Sequence, residues 1–300
     1  YIQEHGYFES LKDAFHNYTM SYIYILSLIA KFKFSYFGDL VAIKIVSVCF
    51  EYIAAYFIGK LAYMVHKDKN IIWLSIAIIP LVPTVLLNSS YQSQCYSIYA
   101  SFTISSIYFL LNNKKLLSMV LLGIAFSFKI QTAMVLPFYF LYMLRGNIKW
   151  YYFTIIPAIY ILSVTPAWIA GRPIGDLLTI YVSQSQYNPE LVANFTNIYK
   201  LLGNSLSGNK LYGSIFVAIL TLVSCFILSS RKYIFDTQTW FKFLFLSAII
   251  CPYFLPGMLE RYMYLGDLLA ILLILTFRKK IYLPISIIFI SFYSYVRCIH

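Results

Sequence analysis

Charged side chains are scarce in this sequence. Only 11% of its 300 residues are Asp, Glu, Lys or Arg, whereas 61% are hydrophobic. A soluble domain of this length needs far more charge to cover its surface with polar groups. The composition therefore excludes a soluble globular protein and predicts a polytopic membrane protein.

The motifs of several common functions are also absent. The five cysteines show no CxxC spacing and the four histidines no HExxH motif, so the sequence indicates neither a disulfide framework nor a zinc site. No GxxxxGK[ST] or GxGxxG loop for nucleotide phosphates is present. The net charge of +12 does not indicate nucleic acid as a partner, because the basic residues lie in short clusters between apolar runs, as membrane topology requires.

The apolar runs predict an all-α protein, a polytopic bundle of transmembrane helices. About ten spans are expected, at residues 41–65, 71–87, 96–112, 115–128, 131–144, 150–170, 211–230, 239–256, 262–277 and 281–297. No internal repeat or linker interrupts the chain, so we expect one membrane domain over residues 1–300. Residue 1 is Tyr and no signal peptide follows it, so we expect the chain to be truncated at its N-terminus.

Residues 1–40 are expected to form an interfacial segment. Residues 1–21 suit a short amphipathic helix or, equally, a solvated connector, and the apolar run from Tyr22 to Ala30 is too short to cross a bilayer. Alternating the remaining spans places eleven basic residues in five short loops: Lys67, Lys69, Lys114, Lys115, Arg145, Lys149, Arg231, Lys232, Arg278, Lys279 and Lys280. Basic loops are cytoplasmic in membrane proteins, so the other set of loops is expected to be extracytoplasmic.

The unusual polar residues fall on that expected outer face. Glu260 and Arg261 interrupt two apolar runs, where a charge at bilayer depth costs roughly 2.5–3.5 kcal/mol. Lys129 and Arg172 add two further cations, and a planar guanidinium matches phosphate oxygens. Two structural alternatives stay open: an interfacial salt bridge for Glu260 and Arg261, and a snorkelling lysine at a helix end for Lys129.

The segment 171–210 is predicted to be a long outer loop. Loops of this length are usually functional or disordered. Its polar and aromatic side chains suit the hydroxyl groups and ring faces of a sugar, although a solvated connector would also contain amide groups. They are Arg172, Asp176, Tyr181, Gln184, Gln186, Tyr187, Glu190, Asn194, Asn197 and Tyr199.

Four segments, in this order, resemble the bacterial integral-membrane glycosyltransferases of the GT-C superfamily. They are GYFESLKDAFHNYTMSYIYIL from Gly6, PTVLLNSSYQSQCYSIYASF from Pro83, GIAFSFKIQTAMVLP from Gly123, and the GRP loop from Gly171 followed by FLPGMLERYMYLGDLLA from Phe254. The third is close to the family pattern G-x-A-F-x-x-K-x-Q, and the last is similar to F-L-P-x-M-H-E-R-Y-x-Y-x-x-D. The sequence departs from the family at six positions: Thr19 and Met20 for Pro-Pro, Gln92 and Ser93 for Trp-Gly, Tyr96 for Asp, and Leu259 for His.

This resemblance implies an inverting hexosyl transfer, similar to that of mannosyl- and glucosyltransferases, from a polyprenyl-phosphate sugar donor. The acceptor is expected to be a cell-envelope glycan or lipid, and the protein a multi-pass protein of the cell membrane with an extracytoplasmic active face. Lys129, Arg172 and Arg261 are expected to line one cavity and bind the lipid phosphate. Three further residues are expected nearby: Gln94, Gln131 and Tyr262.

The resemblance leaves the catalytic base and the metal unassigned. The family's catalytic Asp is expected before residue 1, and the weaker candidates within the sequence are Glu4, Asp13 and Glu260. No redox cofactor is expected. The superfamily allows a divalent metal, but the sequence shows no ligand set for one.

A non-enzymatic alternative remains, namely a lipid-linked oligosaccharide flippase or a catalytically inactive membrane relative. The absence of ionisable groups at Tyr96 and Leu259 is what such a degenerate relative would show. Transporters usually place ionisable sites near the membrane midplane and often consist of paired halves, and the sequence shows no half repeat. It therefore favours transfer over transport.

Overall fold

The computed structural model describes residues 1–13, 15–32, 38–186, 193–202, 210–230, 232–277 and 281–299. Six residues named above lie outside the described residues: Tyr187, Glu190, Arg231, Arg278, Lys279 and Lys280. The described residues form helices and no β-strand. The prediction of an all-α protein is therefore confirmed.

Sixteen α-helices follow one another in the described part of the chain. They are α1 (Ile2–His5), α2 (Tyr7–Lys12), α3 (Met20–Phe32), α4 (Gly38–His66), α5 (Asn70–Ile78), α6 (Pro83–Leu86), α7 (Tyr96–Leu111), α8 (Lys115–Phe128), α9 (Leu136–Leu144), α10 (Ile155–Ile169), α11 (Ile174–Gln186), α12 (Ile198–Leu202), α13 (Lys210–Ser229), α14 (Thr237–Phe254), α15 (Tyr264–Thr276) and α16 (Tyr282–Ile299). Short 3-10 helices adjoin them at Ile79–Leu81, Ile130–Val135, Trp150–Thr154 and Glu260–Met263, and a π-helical turn at Leu87–Tyr91.

Few of these helices are long enough to cross a bilayer. Three described helices pass on length and apolarity: Gly38–His66, Trp150–Ile169 and Lys210–Ser229. A fourth candidate is the pair Asn70–Leu81 and Pro83–Tyr91, which is bent by 55°. The expectation of about ten spans is therefore not supported by the described residues.

Local backbone geometry shortens the other helices. α7 has 16 residues and α8 has 14, fewer than the roughly 20 that a bilayer crossing needs. Asn113, with a φ of 61°, lies in the turn between them, and Lys129 ends α8 in an extended conformation. The apolar run 131–144 begins as a 3-10 helix and becomes α-helical only at Leu136.

The two segments expected outside the bundle are also partly helical. Residues 1–40 contain α1, α2 and α3, and the 13 residues of α3 include the short apolar run from Tyr22 to Ala30. The segment 171–210, which the sequence presents as a loop, contains α11 and α12. The location of both segments relative to a membrane stays a prediction.

The described residues divide into two compact units. Unit 1 comprises Tyr1–Glu51, Ser89–Thr132 and Tyr151–Asn188, and unit 2 comprises Tyr52–Asn88, Ala133–Trp150 and Pro189–His300. The expectation of one membrane domain over residues 1–300 stays a prediction.

Small residues let the helices of unit 1 approach one another closely. A Cβ atom on Gly123 of α8 would lie 2.9 Å from the Cβ of Ile159 on α10. The Ser106 hydroxyl on α7 donates to the carbonyl oxygen of Ser118 on α8 over 2.6 Å. Buried polar atoms without a partner cost about 1–3 kcal/mol each, so such bonds across helix contacts keep α7, α8 and α10 together.

In unit 2 a close helix contact joins α4 to α5. A Cβ atom on Gly59 would lie 2.7 Å from the Cα of Ile72. The Ser75 hydroxyl donates to the carbonyl oxygen of Ala55 over 2.7 Å. Further along the chain, most residues of α15 are buried, and it packs against α6, α14 and α16.

We expect the substitution Gly59→Ala to destabilise the protein by roughly 1–3 kcal/mol. The added methyl group would overlap the backbone of Ile72, which cannot rotate aside as a flexible side chain can. Thermal unfolding of the detergent-solubilised protein measures the effect. Gly175→Ala on α11 is the control, because no atom lies within 4 Å of the added methyl and Ala favours a helix over Gly. Equal unfolding temperatures for Gly59→Ala and the wild type would contradict this packing of α4 on α5.

Candidate functional site

Arg172 lies against the segment His16–Met20, which connects α2 to α3 within unit 1. The Nη1 atom of Arg172 is 3.1 Å from His16 Nε2 and 3.4 Å from Met20 Sδ. The residue is 3% exposed, and its Nε atom has no hydrogen-bond partner in the described part of the chain. Burial lowers the pKa of the guanidinium, and the nearby Asp176 carboxylate opposes this shift. Arg172 is therefore a buried cation with an unused donor.

Lys129 follows α8 and contacts the same segment. Its Nζ atom lies 4.9 Å from the ring centre of Tyr18 and 4.7 Å from that of Tyr96. A cation over an aromatic face gains about 0.5–1 kcal/mol at an exposed site. The Thr19 hydroxyl donates to the carbonyl oxygen of Phe128 over 3.0 Å, which fixes the segment next to the lysine. The segment His16–Met20 thus contacts both cations predicted for unit 1.

Buried hydrogen bonds hold the following helix, α3, in place. The Ser21 hydroxyl donates to the Ser127 hydroxyl on α8 over 3.0 Å. The Tyr24 hydroxyl donates to the carbonyl oxygen of Ser163 on α10 over 2.9 Å. Because α3 begins at Met20, these bonds also fix the end of the segment that covers Arg172.

His16 is neutral in this arrangement. Burial lowers its pKa to about 4, and the positive charge of Arg172 lowers it further in the same direction. Its other ring nitrogen, Nδ1, lies 3.2 Å from the backbone nitrogen of Tyr18. A neutral imidazole has one acceptor nitrogen and an imidazolium has none. Protonation of His16 would therefore place an N–H group at Nε2 opposite the Nη1–H group of Arg172, so that two hydrogen-bond donors face each other.

The space beside Arg172 is small in this conformation. A cavity of about 10 Å³ is lined by Tyr18, Met20, Tyr160, Arg172 and Asp176, among others. This volume is close to the minimum for one water molecule. A phosphate group would have to displace the Met20 side chain, which is unbranched and flexible. The guanidinium is therefore covered, and an anion reaches it only after a local side-chain movement.

The two predicted glutamines belong to unit 1. Gln131 is 8% exposed, and its Oε1 atom has no hydrogen-bond partner among the described residues. Gln94 is half-buried, and its backbone carbonyl accepts from the Ser47 hydroxyl over 3.2 Å. Their proximity to a bound phosphate stays a prediction.

The carboxylates of unit 1 that the sequence offers as bases do not pair with the two cations. Glu4 is exposed on α1. Asp13 accepts a hydrogen bond from the Tyr1 hydroxyl. Neither forms an ion pair in the described part of the chain.

In unit 2, Arg261 pairs with its neighbour Glu260. The Nη1 atom of Arg261 is 3.3 Å from Oε1 of Glu260, which is fully buried, while the Arg261 side chain is 29% exposed. Tyr262 follows in the same 3-10 helix and is half-buried. This pair agrees with an interfacial salt bridge, and it also leaves the guanidinium accessible. Sharing of one cavity by Arg261, Lys129 and Arg172 stays a prediction.

Two departures from the family pattern have a structural counterpart. Ser93 has a φ of 55°, a conformation that glycine adopts most easily, and the family pattern has glycine at this position. Tyr96, in place of an Asp, presents its ring to Lys129. At two further departures, Gln92 is half-buried and Leu259 is 8% exposed. The lysine therefore faces a ring where the family pattern has a carboxylate.

Three residues of this site had no assigned role in the sequence analysis: His16, Tyr18 and Met20. They lie within the segment from Gly6 to Leu26 that carries part of the resemblance. In the sequence, the only indication of these residues was that a polar and aromatic stretch lies between two helices. Their contacts with Lys129 and Arg172 are distant in sequence and leave no local pattern.

No group of three or more His, Cys, Asp and Glu side chains comes together in the described ranges. No family model matches the chain, and neither a curated protein nor a solved structure is significantly similar to it. The likeness to GT-C enzymes therefore rests on the four sequence segments.

We expect the free energy of unfolding to decrease as the pH falls from about 6.5 towards 4. The imidazole of His16 has a pKa of 6.5 when unfolded and about 4 when folded, so between these values the unfolded state binds more protons. Thermal unfolding across this pH range should show a smaller decrease for His16→Gln than for the wild type. His5→Gln, at an exposed position of α1, should keep the wild-type slope. An unchanged slope in His16→Gln would show that His16 does not cause the decrease.

Proposed function

We propose that this protein is a membrane glycosyltransferase that moves a sugar from a polyprenyl-phosphate donor to a glycan or lipid acceptor of the cell envelope, at the extracytoplasmic face. The observation that carries the proposal is the pair of cations, Lys129 and Arg172, on the single segment His16–Met20. The four segments that resemble GT-C enzymes support it. Long apolar helices also suit a donor that resides in the bilayer.

In this proposal Arg172 binds the donor phosphate. Its planar guanidinium offers several N–H groups, and Nε has no partner among the described residues. Burial favours such an interaction, because a charge pair is stronger where water is excluded. When the bond between the sugar and the phosphate breaks, negative charge accumulates on the departing phosphate, and a preorganised cation stabilises that charge.

Lys129 supplies a second positive charge to the same phosphate. Its ammonium group lies between two rings and forms no ion pair with a carboxylate in the described residues, so no carboxylate competes with the donor phosphate for it. Arg261 joins this set if unit 2 contributes to the donor site. The acceptor hydroxyl must lose a proton during transfer. We assign that base to no described carboxylate, because none forms an ion pair with Lys129 or Arg172 in the described residues.

The test uses membranes that contain the protein, a radiolabelled polyprenyl-phosphate sugar and candidate acceptors. We expect Lys129→Met and Arg172→Lys each to lower transfer by roughly 100-fold, because the first removes the charge and the second the planar donor set. Lys114→Met is the matched control: this exposed lysine also lies over a ring, that of Phe109 at 5.6 Å, and should transfer at the wild-type rate. Normal transfer by both site variants would contradict the proposal. Binding or movement of the donor without cleavage would instead identify a transporter.

The substitution Arg261→Lys distinguishes the two interpretations of Arg261, namely phosphate binding and pairing with Glu260 alone. If Arg261 binds the donor phosphate, the variant keeps the charge but loses the bidentate geometry, and we expect a KM for the donor roughly 10-fold higher. If Arg261 only pairs with Glu260, lysine maintains the ion pair and donor binding is unchanged. Arg297→Lys, at an exposed position near the end of α16, is the control. Steady-state kinetics with the same labelled donor distinguishes these outcomes.

A further inference from the structure

Asp267 is a buried carboxylate in unit 2 whose charge is not balanced. It lies on α15 and is 0% exposed. Its Oδ2 atom accepts from the Ser291 hydroxyl on α16 over 2.7 Å. Its Oδ1 atom has no hydrogen-bond partner, and the residue forms no ion pair, in the part of the chain that the structure describes. An isolated buried charge is strongly unfavourable, so the carboxyl group requires a compensating cation or a proton.

A broken helix lies beside α15 and α16 and forms the third side of the surroundings of Asp267. The helices Asn70–Leu81 and Pro83–Tyr91 meet at an angle of 55°. Proline at residues 80 and 83 removes two backbone donors there, and the second helix ends in the π-helical turn Leu87–Tyr91. Its first turn, α6, packs against both α15 and α16. Broken helices line small-cation sites in membrane proteins, and π-helical turns frequently mark functional sites.

Two more buried oxygen atoms at this break have no partner. Thr84 on α6 faces the Asp267 carboxyl group, but its hydroxyl makes no hydrogen bond of normal geometry. Asn88, one turn further along, donates through Nδ2 to the Tyr295 hydroxyl over 2.9 Å, and its Oδ1 atom is unpartnered. Thr84 and Asn88 are both 0% exposed. Tyr295 lies one turn after Ser291 on α16, so α16 contributes a partner to both Asp267 and Asn88.

We propose that Asp267, Thr84 and Ser291 bind one sodium ion, with the amide oxygen of Asn88 adjoining the site. Sodium carries the single positive charge that one carboxylate requires, and it accepts an all-oxygen donor set. Calcium sites recruit several carboxylates or carbonyl groups, and zinc sites use His or Cys ligands. No cluster of three such side chains occurs among the described residues. This assignment is independent of the proposed sugar transfer.

The test measures thermal unfolding of the purified full chain in detergent at increasing NaCl, with choline chloride and KCl at matched ionic strength. Binding to the folded state alone should raise Tm in a saturable, sodium-specific way, by roughly 4 °C at high occupancy. Asp267→Asn should abolish this response. Asp68→Asn is the matched control, because Asp68 is an exposed acid of unit 2 and its replacement should leave the response intact.

Thr84→Val and Ser291→Ala extend the test to variants that keep the carboxylate. Each should raise the sodium concentration needed for half of the Tm shift by roughly 10-fold, because each removes one of the few ligands. These variants decide the matter if Asp267→Asn does not fold. A wild-type Tm that responds equally to sodium, potassium and choline would overturn the site and identify Asp267 as a neutral, protonated acid. A sodium response that persists in Asp267→Asn would overturn it as well.

Discussion

A polar group buried among apolar side chains has no water to bind, so it must find its partner within the protein. This constraint determines how the helices of both units meet. Ser75, Ser106 and Ser247 each donate to a backbone carbonyl of a neighbouring element at 2.6–2.7 Å. Such bonds need close helix contacts, and glycine and serine at the contacts make them available. Where most buried polar atoms are paired, a cluster of unpaired ones is a candidate ligand site.

Each unit contains a buried ionisable group with an unpaired polar atom. In unit 1, Arg172 is a buried cation whose Nε atom has no partner in the described residues, and its neighbours are a neutral imidazole, a thioether and the Asp176 carboxylate. In unit 2, Asp267 is a buried carboxyl group beside unpartnered hydroxyl and amide oxygens. A buried polar atom without a partner lowers the stability of the empty protein. A phosphate in the first case and a sodium ion in the second would remove that cost.

The sequence predicted the helical class correctly, and it singled out Lys129 and Arg172 because charges are conspicuous where apolar residues dominate; their role in binding stays a prediction. It overestimated the spans for a physical reason: most residues of α7 are buried inside the protein, and apolarity does not distinguish burial in protein from burial in lipid. The contacts of Arg172 were beyond prediction, since His16 is 156 positions away in the sequence. In the sequence, Asp267 is recognisable as the last residue of the motif that begins at Phe254. That its Oδ1 atom has no partner in the described residues becomes apparent only once α6, α15 and α16 are placed together.

The two sites differ in what must move before a ligand enters. Arg172 is covered by the sulfur of Met20 and by one imidazole edge, so its exposure involves rotation about side-chain bonds. Met20 is itself buried, so this rotation is slower than the picoseconds to nanoseconds of exposed side chains. Asp267 is enclosed where α6, α15 and α16 pack together. Access there requires α6 to separate from α15 and α16, and the prolines at residues 80 and 83 remove two backbone donors beside α6. Exchange at the carboxylate should therefore be slower than exchange at the guanidinium, since helix displacements take microseconds to milliseconds.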